Sequence, residues 1–270
     1  MVVFLSSVLS NVSRAWKRGD AEARQRLEVR LVFDFLGSDL RAATLPVVPP
    51  ADPTQPNLQF LLNPSSDLVP EACRNADALF WQAPIATDAS LGDLAEIGYF
   101  VKWDSSRPSN PRGQLCRFFV NPTDNDSYLI YRSLAWLSPA LLETVAPADD
   151  RNVGKAKQRA GYRGLLAENV LGFWTRWRDD KKQLVKQYDS RATANLNRLP
   201  ASIDVSLLSV QETNALRIGP AEQATIQATV RLADDATDAL GRLGKIESLS
   251  LVRPGLRTYQ TTIYLEGSGR

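Results

Sequence analysis

Apolar residues in the first forty positions fall at Leu5, Val8, Leu9, Val12, Trp16, Ala23, Leu27 and Leu31, mostly three or four apart. Val32, Phe33, Phe35, Leu36 and Leu40 then widen the stripe. That spacing sets them along one side of an α-helix. Between them Arg14, Lys17, Arg18, Glu22, Arg24, Arg26, Glu28 and Arg30 supply good helix formers for the polar side. Only Gly19 and Gly37 soften the run. At ~1.5 Å per residue, a helix reaching residue 42 is ~60 Å long, several times the ~11-residue mean of globular helices. Apolar content rises toward both ends. The rear, Ala23 to Leu40, is expected to pack on a sheet, whereas the front needs some other apolar partner. Pro46, Pro49, Pro50, Pro53 and Pro56 end the helix in a loop.

Beyond that loop the period changes. Leu58–Leu62, Ala78–Ala83, Ile97–Trp103 and Leu115–Val120 are short apolar runs bounded by turn residues, and so are predicted strands. The Ser-, Pro-, Asn- and Gly-rich segment Asp104–Gly113 predicts a hairpin between the last two. Tyr128–Ser138 and the acidic stretch to Asp150 suggest part helix, part loop. Ala167–Trp177 is expected to form one strand, followed by a polar excursion over Asp179–Arg198. Ala201–Val210 alternates like a strand with one buried face, Thr213–Leu251 is polar and helix-prone, and Thr258–Leu265 is a last alternating strand. The sum is an α+β chain: a helical unit over residues 1–44 and a β-rich body with helical insertions over residues 45–270. No repeat or low-complexity tract interrupts it.

Composition narrows the function. The chain has 270 residues, 44% hydrophobic and 23% charged, enough for a real core. Its 32 basic and 30 acidic residues nearly cancel, and the basic clusters are interleaved with acids or lie on helices. The concentrated basic face of a nucleic-acid binder is missing, so nucleic acid is not an expected partner. There is no histidine, which removes the commonest general base, the Ser–His and Cys–His pairs and every His-ligated zinc site. Cys73 and Cys116 are the only cysteines. In an exported chain they could form a disulfide; in a cytosolic one they would be small buried hydrophobes. No stretch reaches the ~18 apolar residues that span a bilayer, and the nine-residue apolar opening has no basic flank or cleavage site of a signal peptide. It reads as the end of a longer segment.

Candidate chemistry is sparse. No phosphate-binding loop, dinucleotide fingerprint, nucleophile elbow or zinc-protease motif is present; no catalytic, cofactor-binding or metal residue is assigned. Asn121 to Asp126 offers alternating oxygens that a calcium ion could use, but lacks the glycine and distal glutamate of an EF-hand, and a capped turn accounts for it. Asp149–Asp150 and Asp234–Asp235 are adjacent carboxylates of the kind normally solvated. Of six tryptophans, Trp81, Trp103, Trp136, Trp174 and Trp177 suit the space between a sheet and a helix, or a ligand groove. Trp16, followed by Lys17-Arg18, suits either a bilayer–water boundary or packing on a neighbouring helix.

Three segments carry a family resemblance. The first is Ser13-Arg14-Ala15-Trp16 leading to the run Phe33 to Ala43, and the second is Ala78 to Pro84 followed by Gly98-Tyr99-Phe100-Val101. The third runs from Leu166 to Val170 through Tyr188-Asp189-Ser190-Arg191 and Leu199-Pro200 to Tyr259 to Ile263. Together they resemble the Verru_Chthon cassette protein C family and, more remotely, the J-type minor pseudopilin of type II secretion. The resemblance implies a prepilin-type protein held in the inner membrane by its N-terminal helix. It further implies a periplasmic body and assembly with other pilin-like subunits into a short filament through the face of Leu5, Val8, Leu9, Val12 and Trp16. The family's leader, its Gly/Phe cleavage junction and the early Glu of the mature helix have no counterpart in residues 1–270. Two other readings stand beside it: a β-rich module binding carbohydrate or peptide in an aromatic groove, and a carboxylate enzyme acting on glycosides.

Overall fold

The computed structural model describes residues 2–46, 57–104, 107–145, 164–179 and 183–265; of residues 2–18, 20, 21 and 143–145 it describes the backbone alone. Helix α1 spans Val2–Arg41. Its exit is tied to the body by the Thr44 amide, which donates to the Gln82 carbonyl at 3.1 Å. The predicted strands follow, with small shifts: β1 (Leu61–Leu62), β2 (Ala78–Ala83), β3 (Ala95–Trp103) and β4 (Gly113–Val120). A short helix α2 (Pro139–Val145) comes next, then β5 (Gly164–Glu168), β6 (Val170–Arg178), β7 (Leu184–Val185), β8 (Tyr188–Asp189) and β9 (Ser202–Val210). Three helices, α3 (Glu212–Ala215), α4 (Pro220–Leu232) and α5 (Ala236–Leu243), precede β10 (Leu256–Tyr264).

The strands form two antiparallel sheets, one ordered β5-β4-β3-β2-β1-β8 and the other β10-β9-β6-β7. Helix α1 serves both. Val29, Val32, Leu36 and Leu40 share one apolar cluster with Leu79, Trp81, Ile97, Tyr99 and Phe119 of the first sheet and Ile203, Val205, Leu207 and Ile263 of the second. The opposite faces are covered separately. Phe80, Phe100, Cys116 and Phe118 pack under Val69, Ile130, Trp136, Leu141 and Leu142; Trp174, Leu208 and Val210 pack under Ile226 and Val230 of α4 and Leu243 of α5. With both faces covered, β2 and β4 are buried along their whole length, which explains their near-continuous apolar runs. Gly98 belongs to the same close packing: a Cβ there would sit 2.1 Å from the Phe80 ring.

The single strand predicted over Ala167–Trp177 is two strands, because Asn169 adopts a left-handed conformation with φ 60°, which asparagine tolerates better than most residues. The chain crosses there between sheets: β5 pairs with β4, β6 with β9. Arg112 fixes the crossing by donating to Asn169 Oδ1 at 2.7 Å. The polar excursion after Arg178 also contains the short strands β7 and β8.

Two buried ionisable groups bear on stability. Asp39 of α1 is enclosed, its Oδ2 accepting from Arg117 Nε at 2.7 Å and from the Tyr99 hydroxyl at 2.5 Å. Removing one partner of such a pair strands the other charge at a cost of ~3–5 kcal/mol, whereas an apolar pair of similar volume is near neutral. Urea unfolding should therefore show Asp39→Ala to be severely destabilised and the double change Asp39→Leu with Arg117→Met to recover most of the loss. The second group is Glu96, whose Oε1 accepts from the amides of Leu129 and Ile130 at 3.1 and 2.9 Å. Burial pushes its pKa from 4.5 up to about 8, against the two amide bonds, which lower it. The folded state thus holds this proton more tightly than the unfolded chain. The stabilisation is complete below the unfolded value and is lost as pH rises through the folded one. Stability should fall from pH 5 to pH 8 by more in the native chain than in Glu96→Gln, measured as the shift of the urea midpoint.

Candidate assembly interface

Because α1 packs on the sheets, its orientation decides which side chains remain available. The enclosed stripe is Gln25, Val29, Val32, Leu36, Asp39 and Leu40. Three polar ties hold it. The Asp39 carboxylate meets Arg117 and Tyr99 on β4 and β3, directly opposite each other in the ladder. Trp81 Nε1 donates to the Asp39 carbonyl at 3.3 Å, and Gln25 Nε2 donates to Ser209 Oγ of the second sheet at 2.7 Å. The Arg117 guanidinium lies 5.1 Å from the centre of the Phe35 ring and 4.8 Å from that of Phe119. Burial, with Asp39 beside it, pushes the Tyr99 hydroxyl well above its ordinary value, so it stays protonated and donating.

The rear of the predicted stripe divides. Ala23, Leu27 and Leu31 were expected on the sheet and instead face outward, Leu27 60% and Leu31 61% exposed. The reason is rotational: Asp39 must reach Arg117, and at about 100° per residue that turn puts positions 27 and 31 roughly 140–180° from Leu36. On the same ideal helix, positions 5, 9, 12 and 16 fall about 120–180° from Leu36, and position 8 lies at the flank, roughly 80° away. The side chains of Leu5, Val8, Leu9, Val12 and Trp16 lie outside the described residues; the helical backbone that carries them is continuous with that of Leu27 and Leu31. Charged side chains border the outward pair, with Arg26 2.9 Å from Glu22 and Arg30 3.9 Å from Asp34. Among the described residues no helix is long and apolar enough to cross a membrane.

Other predicted candidates have structural explanations. No disulfide joins Cys73 and Cys116; both are buried among the apolar side chains beneath the first sheet, and burial pushes the Cys116 thiol up to about 12. Asn121 to Asp126 is closed by a backbone turn, the Asp124 amide donating to the Asn121 carbonyl at 3.0 Å, and Asn121 Oδ1 accepts from the Thr87 amide of another loop at 2.9 Å; among the described residues no group of three carboxylates or thiols is placed to hold a metal ion. Asp235 caps α5 by accepting from the Asp238 amide at 2.8 Å, and Asp234 pairs with Lys186. Asp149 and Asp150 lie outside the described residues. Trp81, Trp136 and Trp174 are enclosed, and Trp103 and Trp177 half-buried, so these rings do not assemble an open aromatic groove. A cavity of ≈ 540 Å³ near Trp174 is charged, but its charges are largely matched: Arg231 lies 2.8 Å from Glu71, Lys186 pairs with Asp234, and Asp77 pairs with Arg176.

No family model matches the chain, and no curated protein matches its sequence. Among solved structures it is similar to a type IV-like pilin from Thermus thermophilus, with 11% identity, a TM-score of 0.40, and coverage of 92% of this chain and 99% of the other.

Proposed function

We propose that this protein is a pilin-like structural subunit, of the minor-pseudopilin kind, that assembles into a filament related to those of type II secretion and type IV pili. The observation that carries it is the two-sided helix. One stripe of α1 is sealed onto both sheets; the opposite stripe leaves Leu27 and Leu31 bare, in line with the apolar positions of the front half. A helix that served only its own body would have no use for the second stripe. Neighbouring pilin-like subunits are the partners, packing helix against helix. The inner membrane holds the longer N-terminal segment, and the body lies in the periplasm. This is also what the resemblance to the Verru_Chthon cassette protein C family implies. The reading assigns no catalytic role and no cofactor.

The two stripes predict opposite phenotypes. Leu36→Ala should cost ~2–5 kcal/mol of stability through the cavity it leaves. Leu27→Glu with Leu31→Glu should leave stability within ~0.5 kcal/mol per site, as exposed substitutions do, yet abolish assembly. The test is cysteine cross-linking from Leu27→Cys in the full-length precursor, expressed in its own envelope with the other pilin-like subunits. Helix-to-helix adducts that disappear with Leu31→Glu support the reading; a full-length precursor that assembles normally with both glutamates in place would overturn it.

A further inference from the structure

We propose that β10 is a pairing edge at which two copies of this body join antiparallel, on a two-fold axis passing through Thr261. This contact goes beyond the filament reading, because it uses the body and not the outward stripe of α1. The starting point is how unequally the sheet edges are protected. Proteins blunt exposed edges by keeping them short, charged, bulged or interrupted by proline. The β7 and β8 edges are two residues long, and β5 is five residues long with a register shift against β4. The β10 edge has one of these defences, and only near its start. It is nine residues long, pairs with β9 in unbroken register, contains no proline, and carries one charge, Arg257, near its start.

Its hydrogen-bonding polarity can be read from the two ends. Beyond the strand, the Gln211 amide donates to the Gly255 carbonyl at 2.9 Å and the Leu265 amide to the Ala201 carbonyl at 3.0 Å. Antiparallel ladders alternate, so the odd-numbered residues of β10 bond to β9 and the even-numbered ones turn their amides and carbonyls outward. Arg257 Nη1 donating to the Leu256 carbonyl at 2.8 Å agrees with that polarity and caps the first outward group. The outward groups of Thr258, Gln260, Thr262 and Tyr264 meet no other partner among the described residues. Gln260 and Thr262 are exposed, and Tyr264 is 72% exposed.

Only certain registers let such an edge pair with itself, and the one centred on Thr261 uses every outward group left after Leu256. Gln260 then exchanges both bonds with Thr262 of the second copy, and Thr258 with Tyr264. The intervening pairs are Thr261 with Thr261 and Tyr259 with Ile263, combinations of hydroxyl with hydroxyl and aromatic with β-branched that favour cross-strand packing. No like charges face each other, since Arg257 falls beyond these pairs. The operation closes on itself and so yields a dimer and not a fibre, joining two four-stranded sheets into one.

The test is sedimentation of the 270-residue chain over a micromolar to sub-millimolar range, with substitutions that read the polarity. The native chain should dimerise with concentration. Gln260→Pro should be monomeric with its melting temperature unchanged, because the lost amide points away from β9; Thr261→Pro should melt lower, because it loses a ladder bond. Thr261→Cys should form a disulfide-linked dimer, as Cα atoms in a non-hydrogen-bonded pair lie ~4.5 Å apart, within disulfide reach. Thr258→Cys should not, because it is displaced along the strand from its copy. The Leu27→Glu, Leu31→Glu chain should still dimerise. A native chain that stays monomeric, a dimer that survives Gln260→Pro, or one lost when Leu27 and Leu31 are replaced would each overturn the proposal.

Discussion

The carboxylate of Asp39 is the constraint on which the arrangement depends. It sits on a long helix, yet its partners, Arg117 and Tyr99, lie inside a sheet whose surroundings are apolar on both faces. A charge there is tolerable only when paired, since an unmatched one costs several kcal/mol. Turning α1 by a single residue, about 100°, would withdraw the carboxylate from the buried guanidinium beside Phe119. The ion pair therefore acts less as a source of net stability than as a lock on rotation. Apolar burial supplies the stability: fully enclosed side chains such as Leu36 and Leu40 contribute roughly 1.5–3 kcal/mol each. With rotation set, the outward position of Leu27 and Leu31 is a consequence and not an accident of sequence.

The same lock connects the two sheets. Helix α1 meets the first through Asp39 and the second through Gln25, whose amide reaches Ser209. The chain passes between them three times, at Asn169, where Arg112 holds the turn, between β7 and β8, and between β8 and β9. The helix thus spans a junction that the backbone also ties, and each sheet has its own second layer. Both sheets contribute to one apolar platform under α1.

Much of this was legible in the residues. The run Ala78–Ala83 and the alternation over Ala201–Val210 and Thr258–Leu265 located strands to within a few residues. The single buried face expected of Ala201–Val210 is corrected: β9 is buried on both faces from Val205 to Val210, and the alternation came from the buried serines Ser206 and Ser209, which hydrogen-bond to the Ala236 amide and to Gln25. The break at Asn169 was hidden, because a single left-handed residue in an otherwise apolar run does not disturb the pattern. The division of the helix stripe was hidden for another reason: spacings of three and four describe two faces equally well, and only the tertiary partner of Asp39 chooses between them. A signal for that partner was present in Leu115-Cys116-Arg117-Phe118-Phe119, where one cation interrupts an apolar strand. Such a residue needs an acid from elsewhere, and Asp39 is the acid of α1 enclosed with it. The edge polarity of β10 lies beyond sequence, since alternation shows which face is buried but not which amides point out.

The proposed function requires that the stripe of α1 left bare by its own sheets be covered in the assembly. A nitroxide spin label at Leu31→Cys reads this, with spectra of the 270-residue chain alone and of the subunit assembled with pilin-like partners. The label should be mobile in the chain alone and strongly immobilised in the assembly. A label already immobilised in the chain alone, or still mobile in the assembly, would contradict the proposal.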